Sequence, residues 1–113
     1  MIFISERIYR VIDAYTNYLI NEGLTSQTRA FEKKNMIIHA INSNLNGIVT
    51  HRPSPYKELG NEEGCLLYVY KDPKSKTQWG VAYKRFDENN VIVYYMRNLK
   101  IVTENKNAKA VLL

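Results

Sequence analysis

Between residues 50 and 66 of this chain the spacing of its apolar residues changes, and that change sets what it can fold into. Upstream, Ile8, Val11, Ile12, Tyr15, Tyr18 and Leu19 recur at intervals of three and four, as do Ala30, Phe31, Ile37, Ile38, Ile41 and Leu45. Residues so spaced share one face of a helix. Gly23 is placed as a left-handed residue closing the first helix, and Thr25 or Ser26 can cap the second, whose end is marked by Asn44, Asn46 and Gly47. Two helices of about five turns, tightly joined, pack as an antiparallel pair.

Downstream, residues 66–71, 78–86 and 91–96 are rich in Val, Ile, Tyr and Trp, and residues 72–77 and 87–90 between them read as hairpin turns. The expected fold is therefore α+β, an N-terminal helical hairpin packed on a three- to four-stranded antiparallel sheet. Residues 1–4 suit an edge strand ending at a helix-capping Ser5, and residues 99–102 suit a short further strand. Residues 50–64, with His51, Pro53, Pro55, Gly60 and Gly64, form the connecting loop. In the middle strand Trp79, Val81 and Tyr83 alternate with Gly80, Ala82 and Lys84, so the first set is expected against the helices and the second toward a cleft or water.

At 113 residues the chain suits one domain spanning 1–113, with 103–113 a frayed tail or a short helix. Its longest apolar runs have six residues, against about 20 for a membrane-spanning helix. With no basic n-region or cleavage pattern at the N-terminus, a cytoplasmic protein without a membrane partner is expected. Cys65 stands alone in a strand-like run and reads as core. His39 falls off the helical stripe and reads as solvated, and His39, His51 and Cys65 lack zinc spacing, so no metal and no cofactor are expected.

The net charge of +5 is unevenly distributed. Between residues 65 and 86, five basic residues (Lys71, Lys74, Lys76, Lys84, Arg85) face one acid, Asp72. Such a surface attracts phosphates or an acidic partner, although the same lysines also suit a solvated hairpin.

The motifs from Tyr56 to Arg97 resemble those of the RelE/ParE superfamily of toxin-antitoxin toxins, including its HigB branch. Lys57-Glu58-Leu59-Gly60 is similar to the family's Lys-x-Leu-x-Gly approach to the sheet, and Leu67-Tyr68-Val69-Tyr70-Lys71 to its first long strand. Trp79-Gly80-Val81-Ala82-Tyr83 resembles its aromatic-Arg-Val-x-Tyr strand, and residues 91–97 the strand ending in a basic residue near the active site. The resemblance implies a toxin that cleaves messenger RNA on the ribosome without a metal ion and is neutralised by a cognate antitoxin. Gly80 departs from the pattern, since relatives usually carry Arg there.

In the implied reaction a ribose 2′-hydroxyl attacks the adjacent phosphate, which requires a base, an acid and cations around the phosphorane. The candidates are Lys71, Lys84 and Arg97 as phosphate cations, with Tyr94 or Tyr95 stacking on a base or moving a proton. Lys74, Lys76 and Arg85 would extend the RNA-binding surface, and His51 and Arg52 would line the cleft from the side. Because neighbouring strand residues point to opposite faces, at least one of the two tyrosines is expected in the core. Asp72, Asp87 and Glu88 are expected in exposed turns, which does not suit two-metal chemistry. The alternative is a ParE-like toxin that binds a topoisomerase without cutting RNA, or a catalytically inert interaction module, and Gly80 favours it.

Overall fold

A computed structural model describes residues 1–46 and 50–100. After a three-residue strand, β1 (Ile2–Ile4), come α1 (Glu6–Asn21) and α2 (Gln27–Asn44). A loop containing one 3₁₀ turn (Lys57–Leu59) then leads into β2 (Leu66–Lys71), β3 (Gln78–Asp87) and β4 (Asn90–Asn98). This is the expected α+β order.

The helical stripes are narrower than the apolar spacing implies. Ile8, Ile12 and Leu19 of α1 are buried in line with Thr16, whose hydroxyl donates to the Ile12 carbonyl at 2.8 Å and so is satisfied inside the core. Tyr18, about 100° round the helix from Leu19, is instead exposed. In α2, Ala30, Ile37 and Ile41 line up and continue to Leu45, whereas Phe31 is exposed and Ile38 only half-buried. Gly23, at φ +64°, closes α1 with Leu24 N–H on the Leu19 carbonyl and Gly23 N–H on Ile20. Ser26 caps α2 by accepting from Arg29 N–H at 3.2 Å. Ser5 occupies the cap position of α1, but its side chain makes no capping bond.

The sheet order is β1-β4-β3-β2. β2, β3 and β4 are joined by hairpins and pair antiparallel, while β1 pairs parallel with β4 through Ile2–Val91, Phe3–Ile92 and Ile4–Val93. The sheet is thus mixed rather than purely antiparallel. Hairpins force antiparallel neighbours, but β1 and β4 are separated by the whole helical pair and meander, which leaves their direction free. β4 runs on to Asn98, and Leu99 and Lys100 are helical rather than strand. The rest of the expected 99–102 strand, the expected tail at 103–113 and Gly47 lie outside the described residues.

Both faces of the sheet are covered. Trp79, Val81 and Tyr83 pack with Ile12, Ile37 and Ile41 on the helical side, as their alternation predicts. On the other face the loop folds back, and Leu59, Cys65, Ala82 and Leu99 form a second, smaller core. Gly80 and Ala82, expected toward a cleft or water, therefore lie buried beneath it. A Cβ on Gly80 would stand 2.6 Å from Leu59 Cδ1 and 2.9 Å from Leu99 Cδ2.

Candidate functional site

Because β1 pairs only with Val91–Val93, β4 extends past it, and among the described residues the outer edge from Tyr94 to Asn98 has no strand beside it. A cleft of about 600 Å³ opens along that edge. The first turns of α1 bring Arg7 and Val11 to it, the 3₁₀ turn brings Lys57 and Glu58, the loop brings Glu63, and β3 and β4 supply Trp79, Tyr95, Met96 and Arg97.

Tyr95 is central to the cleft. Its hydroxyl donates to Glu63 Oε1 at 3.1 Å, and the Arg7 guanidinium lies 5.4 Å from its ring centroid. The Glu63 carboxylate, accepting that hydrogen bond, holds the phenol above its ordinary pKa, with burial adding a smaller push in the same direction. Arg97 Nε stands 3.8 Å from Glu58 Oε2, and the exposed Lys57 and Glu62 are 3.9 Å apart. Exposed pairs at such lengths are weak, so these cations remain available to an anion that displaces the carboxylates. A smaller pocket of about 120 Å³ shares Glu63 and Tyr95 and adds Cys65, Lys84 and Tyr94. In it Lys84 Nζ sits 5.8 Å from the Tyr94 ring centroid, and burial raises the Cys65 thiol pKa, consistent with its expected core role.

Of the residues singled out from the sequence, Tyr95 and Arg97 line the cleft, and Lys84 and Tyr94 line the smaller pocket that shares Tyr95 with it. The expectation that at least one of the paired tyrosines is core fails because of a β-bulge. Tyr83 pairs with Val93 and Ala82 with Tyr95, which leaves Tyr94 as the extra residue, and both tyrosines pack half-buried against the smaller core. Their ring centroids are 6.4 Å apart.

The other candidates lie elsewhere. Lys71 ends β2, the strand at the far edge of the sheet from β1, Lys74 is in the β2–β3 turn, and Lys76 borders a separate hollow with Tyr56 and Lys100. Arg85 turns to the helical side, where Nη2 donates to the Leu45 carbonyl at 2.9 Å. His51 does not line the cleft. Its Nδ1 is 2.6 Å from the hydroxyl of the fully buried Tyr83, and its ring packs on Tyr68 and Tyr83. Burial, helped by the nearby Arg85 charge, lowers the His51 pKa. Arg52 accompanies the outer edge of β2, its carbonyl accepting from Leu67 N–H at 2.9 Å. Glu88 is in an exposed turn and Asp87, also exposed, ends β3, but Asp72 is not exposed: its carboxylate is 2.7 Å from Lys33 of α2.

Arg7, Lys57, Glu58 and Glu63 were not singled out as site residues from the sequence. Lys57 and Glu58 fall within the motif quoted for the resemblance, a signal that they lie near the sheet. Nothing in local spacing marks Arg7 or Glu63, because the packing of α1 brings the first to the β4 edge and the path of the loop brings the second. Among the described residues no three His, Cys, Asp or Glu side chains are grouped to hold a metal ion, and no helix is long and apolar enough to cross a membrane. Comparison with protein-family models, curated proteins and solved structures returns no significant match.

Proposed function

We propose that this chain is a metal-independent endoribonuclease of the RelE kind, acting in the cytoplasm on messenger RNA at the ribosome and restrained by a cognate antitoxin. The observation that carries the reading is the Tyr95–Glu63 pair standing in one cleft with Arg7, Lys57 and Arg97. In this scheme Glu63 takes the proton of a ribose 2′-hydroxyl as its oxygen attacks the adjacent phosphorus. The P–O5′ bond breaks, and Tyr95, kept protonated by its raised pKa, protonates the leaving oxygen. The products are a 2′,3′-cyclic phosphate and a 5′-hydroxyl. Arg7, Lys57 and Arg97 offset the charge that grows on the phosphorane. The order of a short strand, a helical pair and a three-stranded meander also supports the resemblance, although fold alone carries no function.

The alternative, a non-nucleolytic ParE-like topoisomerase inhibitor or an inert interaction module, draws support from Gly80. The position where relatives carry Arg is filled by Leu59 and Leu99 packing. Purified protein on programmed ribosomes decides between them. The nuclease reading expects cut messages, with the rate falling about 10²- to 10⁴-fold in Glu63→Gln and in Arg97→Ala. Intact messages together with DNA damage in expressing cells would move the assignment to the topoisomerase inhibitor.

A further inference from the structure

The sheet has a second open edge, on the far side from the cleft. β2 is the last strand in the order β1-β4-β3-β2, and only its start is covered by the loop that leads into it. There Ser54 N–H donates to the Cys65 carbonyl at 2.8 Å, and Leu67 N–H to the Arg52 carbonyl at 2.9 Å. Backbone groups that turn outward recur at every second residue of an antiparallel strand, so those of Val69 and Lys71 turn out as those of Leu67 do. Among the described residues no backbone group pairs with them. Beside them opens a hollow of about 720 Å³, lined by half-buried His51, Pro55, Leu67 and Tyr68 and by exposed Pro53 and Val69. Exposed Arg52 borders this hollow and exposed Lys71 ends the strand, while among the described residues no Asp or Glu lines it. From these features we infer that the β2 edge receives an extended, acidic peptide of a partner protein, which pairs with Val69 and Lys71 as an added strand and sets an apolar side chain into the hollow. The inference is independent of the nuclease reading.

Each feature narrows the occupant. Unpaired N–H and C=O groups in alternation suit an extended backbone rather than a helix. Arg52 and Lys71 suit acidic side chains, and exposed Lys74 and Lys76 in the following turn extend the positive end of the edge. Basic residues on an edge strand also keep like edges apart, so a second copy, which would set these cations against their own kind, fits poorly. The open stretch of β4 suits an acidic peptide less, because Glu58 and Glu63 line it and would repel carboxylates. An RNA strand has phosphates for Arg52 and Lys71 but no evenly spaced N–H donors for the outward carbonyls.

The probe is a capped synthetic peptide of alternating Glu and Val, titrated into the isotope-labelled full chain. The amide signals of Val69 and Lys71 should shift saturably and gain protection from hydrogen exchange. The same peptide N-methylated throughout should not bind, since it has lost its donors, and a peptide of alternating Lys and Val should bind about tenfold more weakly or worse. Val69→Pro removes an outward N–H without touching the ladder to β3, a change that edge strands accept, and it should abolish the response. Arg52→Glu reverses an exposed charge and should weaken binding about tenfold. It keeps the test decisive if circular dichroism shows Val69→Pro unfolded. The inference would be overturned by the lack of a saturable shift, by shifts centred on Tyr94 to Asn98, or by binding that survives N-methylation. Self-association of the chain through Val69, or an oligoribonucleotide that shifts Val69 and Lys71 more strongly than the peptide, would overturn it equally. Whether messages are cut on the ribosome bears on none of these outcomes.

Discussion

Gly80 is the residue where packing decides most. It sits mid-strand in β3, where glycine ordinarily weakens a sheet, and it is there because Leu59 and Leu99 come down onto the backbone. Both leucines are buried, so neither can swing into water to make room. Gly80→Ala is expected to destabilise the protein by about 1 to 3 kcal/mol through overpacking, and Gly80→Arg by more, since a guanidinium would also be driven into an apolar layer. Urea denaturation of the two variants measures this, and a stable, well-folded Gly80→Arg would refute the close packing. Alternation along β3 put Gly80 on the correct face, but strand spacing carries no information about a loop folding over that face. Arginine replacement therefore tests packing here and cannot restore a missing cation. The paired tyrosines failed for a related reason: strict alternation assumes an unbroken ladder, and the bulge at Tyr94 breaks it.

At the scale of elements, the helices were the most legible part because caps and periodicity agree. Gly23 and Ser26 do what their residue types favour, and the meander follows from its turns. The width of each stripe was less legible, since an interval of three or four admits residues on either flank of the true axis. Ile41 lies on that axis and is fully buried, while Ile38 flanks it and is half-buried. Ile41→Ala is expected to cost about 2 to 5 kcal/mol, and Ile38→Ala distinctly less, because part of its side chain is already in water. Equal losses in chemical denaturation would place the core axis of α2 wrongly. The parallel β1–β4 pairing was not readable, because no turn connects the two strands. It matters for the site, since where β1 stops is where the cleft along β4 begins.

Two titrating contacts tie distant parts of the molecule together, and both make it sensitive to acid. His51 joins the connecting loop to the helical-side core through Tyr83, and burial followed by the Arg85 charge holds its pKa below the ordinary 6.5. The unfolded chain therefore binds this proton more readily than the folded one, so the contribution of His51 to stability is intact above about pH 6.5 and declines as pH falls through the lowered value. Asp72 joins the β2–β3 turn to α2. Burial alone would raise its pKa, but the Lys33 hydrogen bond and charge, with Lys74 N–H, outweigh that and lower it below 3.8. Its contribution is likewise present above the unfolded pKa and lost at more acid pH. Stability measured against pH should thus fall in two stages, a first below about pH 6.5 and a second below about pH 4. His51→Asn, which cannot titrate but can still bond the Tyr83 hydroxyl, should flatten the first stage and leave the second. Asp72→Asn should lower stability at neutral pH by about 1.5 to 3 kcal/mol, the worth of a hydrogen bond to a charged group, and flatten only the second. If the wild-type curve is level between about pH 7 and pH 5, or keeps its slope there in His51→Asn, then the loop is not held to the core through this imidazole.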